Sequence, residues 1–111
     1  MMKTIDLALL GFGNVGKAFA RLLTAKKQEL QEHFGFTTRI TAIATGGHGV
    51  CLDPNGIDEQ NLLNLLGSKD PLDLSVLDKM GFDGDMFDFI RQAPAHVFVE
   101  TTPVNPRSGL P

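Results

Sequence analysis

Gly11, Gly13 and Gly16 stand in a G-x-G-x-x-G spacing inside LLGFGNVGKAF, residues 9–19. The chemistry open to that spacing is phosphate recognition by backbone. The first glycine permits a tight turn, the second leaves the main chain bare where a pyrophosphate must approach, and the third lets the following helix pack close to the preceding strand. The helix N-terminus then offers unpaired N–H groups and a partial positive charge. Asn14 and Val15 sit at that helix start, where they present their backbone amides. Three glycines so spaced also occur by chance, so the motif counts only if a buried strand leads into it and a helix leads out.

Both flanks have that character. Residues 4–10, TIDLALL, are almost continuously apolar after Asp6, as in a strand covered on both faces of a parallel sheet. From Val15 onward the apolar positions Val15, Ala18, Phe19, Leu22 and Leu23 predict a helix with one buried stripe, stopped at Gly35. Residues 37–44, TTRITAIA, alternate Ile40, Ala42 and Ala44 and read as a second strand, which completes a βαβ unit. The stretch TGGHGVCLDPNGIDEQ that follows reads as loop. Short helices are expected at 58–66, capped by Asp58 with Leu62, Leu63, Leu65 and Leu66 inward, at 71–80, and at 84–93, where Met86, Phe87, Phe89 and Ile90 form the apolar set and Pro94 ends the helix. AHVFVETT, residues 95–102, is the third strand, and the tail PVNPRSGLP is loop.

These elements predict an α/β fold of Rossmann type. It has three layers, α/β/α, around a mostly parallel sheet, and residues 1–111 form a single nucleotide-binding domain. A complete doubly wound domain has about six strands. With three in evidence, the chain reads as truncated after the strand near 96–101.

Ligands of open α/β sheets sit at the carboxyl ends of the strands, which directs attention to Thr45, Glu100, Thr101 and Thr102. The usual companion of the glycine turn is an acid at the end of the second strand, bonding the adenosine ribose. Here Thr45 stands there, followed by Gly46, Gly47 and His48, and no acid comes before Asp53. Lack of the acid removes the repulsion a 2′-phosphate would feel, yet no arginine or lysine replaces it. NAD and NADP both remain open, with NADP slightly favoured. The hydroxyls of Thr101 and Thr102 suit contacts to a nicotinamide ribose or carboxamide, or simply finish a strand. Lys17, His48 and His96 read as solvated side chains, Cys51 as a partly buried thiol, and no metal-ligand spacing is present.

Composition narrows the class further. The chain is 42% hydrophobic and 21% charged, with a net charge of −3, so it is neither a disordered polymer nor a basic nucleic-acid binder. No apolar run reaches the roughly 18–20 residues of a membrane span. Asp6 and the glycines interrupt the N-terminal apolar stretch, which reads as a strand of a cytoplasmic protein and not as a signal sequence. One cysteine permits no intrachain disulfide, in keeping with a reducing compartment.

Taken in order, LLGFGNVGKAFARLL, ITAIATGGHG and RQAPAHVFVETTPVNPRSGLP resemble the N-terminal NAD(P)-binding part of homoserine dehydrogenase, over nearly the whole chain. The segment VFVETTPVNPRSGLP is the sharpest element: an apolar strand, Glu-x-Thr, and a Ser-Gly before proline. The resemblance implies an enzyme that interconverts L-homoserine and L-aspartate 4-semialdehyde by hydride transfer, on the route to threonine, methionine and isoleucine. It places Phe12, Gly13, Asn14 and Val15 along the pyrophosphate, Thr45 by the adenosine ribose, and Thr101 and Thr102 by the nicotinamide. The family's catalytic lysine, in an Ala-Asn-Lys-Gly context, and its substrate-binding and dimerising region have no counterpart in these residues. No catalytic residue is therefore assigned, and the expectation is a cofactor-binding fragment, inactive alone and prone to self-association through its uncovered sheet edge. The rival readings are a nucleotide-sensing Rossmann module without catalysis and another NAD(P)-dependent reductase of the same fold.

Overall fold

A computed structural model of the chain describes residues 3–45 and 47–101. Strand β1 (Lys3–Leu10) runs into the glycine turn, and helix α1 (Asn14–Phe34) leads out of it to strand β2 (Phe36–Ala44). A short strand β3 (Val50–Leu52), helix α2 (Glu59–Gly67), one 3₁₀ turn (Leu74–Leu77), helix α3 (Met86–Gln92) and strand β4 (Val97–Glu100) follow. The sheet order is β3-β2-β1-β4. β1 pairs in parallel with β2 on one side and β4 on the other, while β3 runs antiparallel along β2. The chain leaves β1 in one direction and later returns to its opposite side, so the glycine turn sits where the order of strands reverses.

Helices cover both faces, giving the expected three layers. On one face Leu9, Ile43 and Cys51 pack with Ala20 of α1 and Leu62 of α2. On the other, Ala8, Ala42, Ala44 and Leu52 pack with Phe89 of α3. Asp6, the one acid within β1, is held by the Arg39 guanidinium, with Nε 2.8 Å from one carboxylate oxygen and Nη2 3.0 Å from the other.

Several local expectations are corrected. β3 lies in a stretch read as loop. It pairs Val50, Cys51 and Leu52 with Ala44, Ile43 and Ala42, and this pairing buries Cys51 fully. The register of β1 against β2 slips between Leu7 and Ala8, whose partners are Ile40 and Ala42, so Thr41 is an extra residue. That bulge puts Ile40 on the face of Ile43, opposite Ala42 and Ala44, and breaks the simple alternation read from the sequence. α1 buries its small residues Gly16 and Ala20, with Phe19 packed beside them, whereas Val15 and Leu22 are 68% and 53% exposed. The helix lies so close to the sheet that small side chains face inward and the stripe is rotated from the expected one.

Asp58 caps α2 as expected, accepting from the Asn61 N–H at 2.8 Å. The helix expected at 71–80 is only the 3₁₀ turn, because Asp73 and Asp78 bond to nearby backbone amides and end it on both sides. α3 keeps one buried apolar residue, Phe89, and exposes Met86, Phe87 and Ile90. A capping box between Asp85 and Asp88 starts it. β4 begins at Val97 and not at 95, since the His96 ring Nδ1 accepts the Asp6 N–H, a bond a regular strand would take with backbone.

Candidate functional site

The three glycines are needed for three different reasons. Gly11 has a φ of +94°, in the region that disfavours any residue with a Cβ. Gly16 is needed for space, since a Cβ there would lie 2.8 Å from the Thr101 hydroxyl and 3.0 Å from the Gly11 carbonyl. Gly13 has neither reason. Its φ of −81° suits any residue, and a Cβ there would meet nothing within 4 Å. The open volume beside Gly13 is at the start of α1, which has no side-chain cap and no acid in its first turn. Gly13, Asn14 and Val15 are exposed there, while the Phe12 side chain turns into the core at 3% exposure and leaves only its backbone at the loop. A bare, exposed helix N-terminus of this kind suits an anion.

Both neighbours of β1 hold the turn. The Gly11 N–H donates to the Ala44 carbonyl at the end of β2, at 2.7 Å. The Thr101 hydroxyl, just past β4, donates to the Gly11 carbonyl at 2.9 Å. The structure thus brings Gly11, Thr45 and Thr101 to one edge of the sheet, the carboxyl ends of its parallel strands. Thr102 lies outside the described residues.

Thr45 closes its own loop. Its hydroxyl donates to the Gly49 carbonyl and accepts from the His48 N–H, each at 2.7 Å. Gly49, with φ +90°, brings that loop against Asp73 and the backbone of Leu74 and Ser75. Beside Thr45 a cleft of about 130 Å³ opens between Val50, Phe82, Met86 and Phe89. Sequence reasoning missed these lining residues, because Val50 joins the cleft only through the unforeseen β3. A larger polar cleft of about 330 Å³, around Lys27, Arg39 and Glu59, lies by the other half of β2. Its two cations are already engaged, Arg39 by Asp6 and Lys27 by Glu59 at 2.9 Å.

Cys51 lies beneath this edge as an inert group. Burial, with the carboxylates of Asp78 and Asp53 adding to it, pushes its thiol up to about 12. Among the described residues, no helix is long and apolar enough to cross a membrane.

A glycine turn at a strand-order switch, closed by a threonine from the next parallel strand, sets the terms for comparison. The NAD(+)-dependent homoserine dehydrogenase of Pseudomonas canavaninivorans is 30% identical over 110 residues, 99% of this chain and 31% of the relative. The homoserine dehydrogenase of Methanocaldococcus jannaschii is 31% identical over 108 residues, again 31% of its length. The resemblance is to homoserine dehydrogenases. The chain spans about a third of the length of these curated relatives. Among solved structures, the homoserine dehydrogenase of Thermoplasma acidophilum superposes with a TM-score of 0.64 at 18% identity, over 94% of this chain and 28% of that one. That of S. aureus superposes with a TM-score of 0.56 at 20% identity, over 96% and 22%. At those identities the homoserine dehydrogenase structures establish the α/β fold. No family model matches the chain.

Proposed function

We propose that this chain is the dinucleotide-binding part of a homoserine dehydrogenase-like oxidoreductase of the cytoplasm, taking NADP or NAD. The observation that carries the reading is Gly13, a glycine for which neither conformation nor packing gives a reason, beside an uncapped helix start. A pyrophosphate in that space supplies the reason. The bound dinucleotide would carry the hydride to or from the substrate. The residues of this chain would bind and orient it: the amides of Gly13, Asn14 and Val15 at the phosphates and the loop of Thr45 at the adenosine ribose. NADP keeps its slight preference because no carboxylate stands between Ala44 and Asp53, although the Pseudomonas relative is by name NAD(+)-dependent.

Carbonyl reduction needs a positioned proton donor, and no Ala-Asn-Lys-Gly segment occurs in these residues. The chain by itself is therefore expected to bind cofactor without turning over homoserine, and to self-associate through the β4 edge. Fluorescence titration with NADPH and NADH tests the reading. Saturable binding by the wild type, lost or strongly weakened in Gly13→Ala with an unchanged unfolding midpoint, is the expected result. A wild-type chain that binds neither dinucleotide at millimolar concentration overturns it.

A further inference from the structure

We propose that Thr101 is a positioning residue for the phosphate loop, acting through the Gly11 carbonyl and not through the nicotinamide end of the ligand. This rests on the dinucleotide reading above. A threonine hydroxyl has one proton to give, and here it lies 2.9 Å from the Gly11 carbonyl, with the Leu10 carbonyl at a marginal 3.5 Å. The Thr101 N–H meanwhile donates to the Leu10 carbonyl at 2.8 Å and extends the β1–β4 ladder past Glu100. Thr101 is therefore fixed at both its backbone and its side chain.

The hydroxyl also fills the space that Gly16 leaves, since a Cβ on Gly16 would lie 2.8 Å from it. It is wedged between the start of the turn and the first turn of α1. Gly11 is gripped from two strands, through its N–H by β2 and through its carbonyl by Thr101. From Gly11 to the exposed amides of residues 13–15, the remaining side-chain anchor is Phe12 in the core. The direction in which those amides face follows from these restraints, and the hydroxyl is the one that comes from outside the βαβ unit. Turning it toward a ligand would cost the Gly11 carbonyl this bond.

The experiment compares wild type, Thr101→Val, which keeps the shape and removes the hydroxyl, and Thr101→Ser, which keeps the hydroxyl. Each is titrated with NADH and with ADP-ribose, which has the pyrophosphate and lacks the nicotinamide. Removing one hydrogen bond of ordinary strength predicts about a three- to tenfold loss of affinity in the valine variant. The loss should be equal for the two ligands and recovered in the serine variant. Without ligand, the amide NMR signals of Gly11, Gly13 and Gly16 should move in Thr101→Val and return in Thr101→Ser. Should the valine variant fail to fold, Thr101→Ala takes its place in the same comparison. A loss for NADH with ADP-ribose unaffected overturns the proposal in favour of a direct nicotinamide contact. Unchanged affinities, or unmoved glycine signals, also overturn it. A wild type that binds neither ligand refutes the dinucleotide reading itself, whatever the glycine signals do.

Discussion

Gly16→Ala and Gly13→Ala should separate stability from binding within one loop. At position 16 the new methyl would lie 2.8 Å from the Thr101 hydroxyl, closer than real Cβ atoms come, and a tight 3.0 Å from the Gly11 carbonyl. Overpacking of this kind costs about 1–3 kcal/mol, read as a lower urea midpoint. At position 13 the methyl meets open space, so stability should change by less than about 1 kcal/mol while dinucleotide affinity falls. Cys51 gives a second test at this scale. With its thiol raised to about 12 by burial, it should resist an aromatic disulfide reagent at about pH 8 in the native chain and react once urea unfolds it. Rapid labelling of the native chain would contradict the burial. The glycines were legible in the sequence because the turn at Gly11 and the approach of Gly16 to the Gly11 carbonyl are local, although the closest neighbour of Gly16, the Thr101 hydroxyl, comes from the far side of β1. The bonds of Thr45 and Thr101 were not, since a hydroxyl's partner is chosen by strands that meet only on folding.

At the scale of elements, Asp78 ties the 78–82 turn to β3. Its carboxylate accepts from the backbone N–H groups of Leu52 and Phe82, each at 2.9 Å, and from Met80 at 3.4 Å. Partial burial opposes ionisation, but the amide donors prevail and hold the group below its ordinary value of 3.8. A carboxylate lowered in the folded state stabilises above the unfolded value and loses that contribution as pH falls through the folded one. Asp78→Ala should therefore cost about 1–3 kcal/mol at about pH 7, and the gap from wild type should shrink as the pH drops below 3.8. Urea unfolding of both proteins across that range checks the sign. β3 itself was illegible in advance, since three residues carry no period and its partner is set by the Thr45 loop. The face of α1 was misread for a related reason. Hydrophobicity ranks Val15 and Leu22 above Gly16 and Ala20, but close approach to a sheet selects for small residues.

Over the whole molecule, the sheet has two unlike margins. The β3 side is short and braced by the 78–82 turn, whereas β4 is an edge among the described residues, with Val97 and Phe98 44% and 38% exposed. Exposed strands of this kind pair with other chains. Light scattering should therefore report association that grows with concentration, and Val97→Lys should reduce it without lowering the thermal midpoint by more than a few degrees. A wild-type chain that stays monomeric would remove the edge as an interaction surface. The layered architecture was legible from the alternation of apolar strands and amphipathic helices, which does not depend on which residue of a helix faces inward.

The extra residue in β2 bears on how such chains can be recombined. Thr41 is fully buried, and its hydroxyl donates to the Pro94 carbonyl at 2.9 Å, at the approach to β4. It divides β2 into two halves whose inward and outward positions are out of phase. A chimera joined within this strand must carry the additional residue across the junction. Without it, every side chain on one side of the seam turns to the opposite face, and the half that leads to Thr45 would present the wrong residues to both layers.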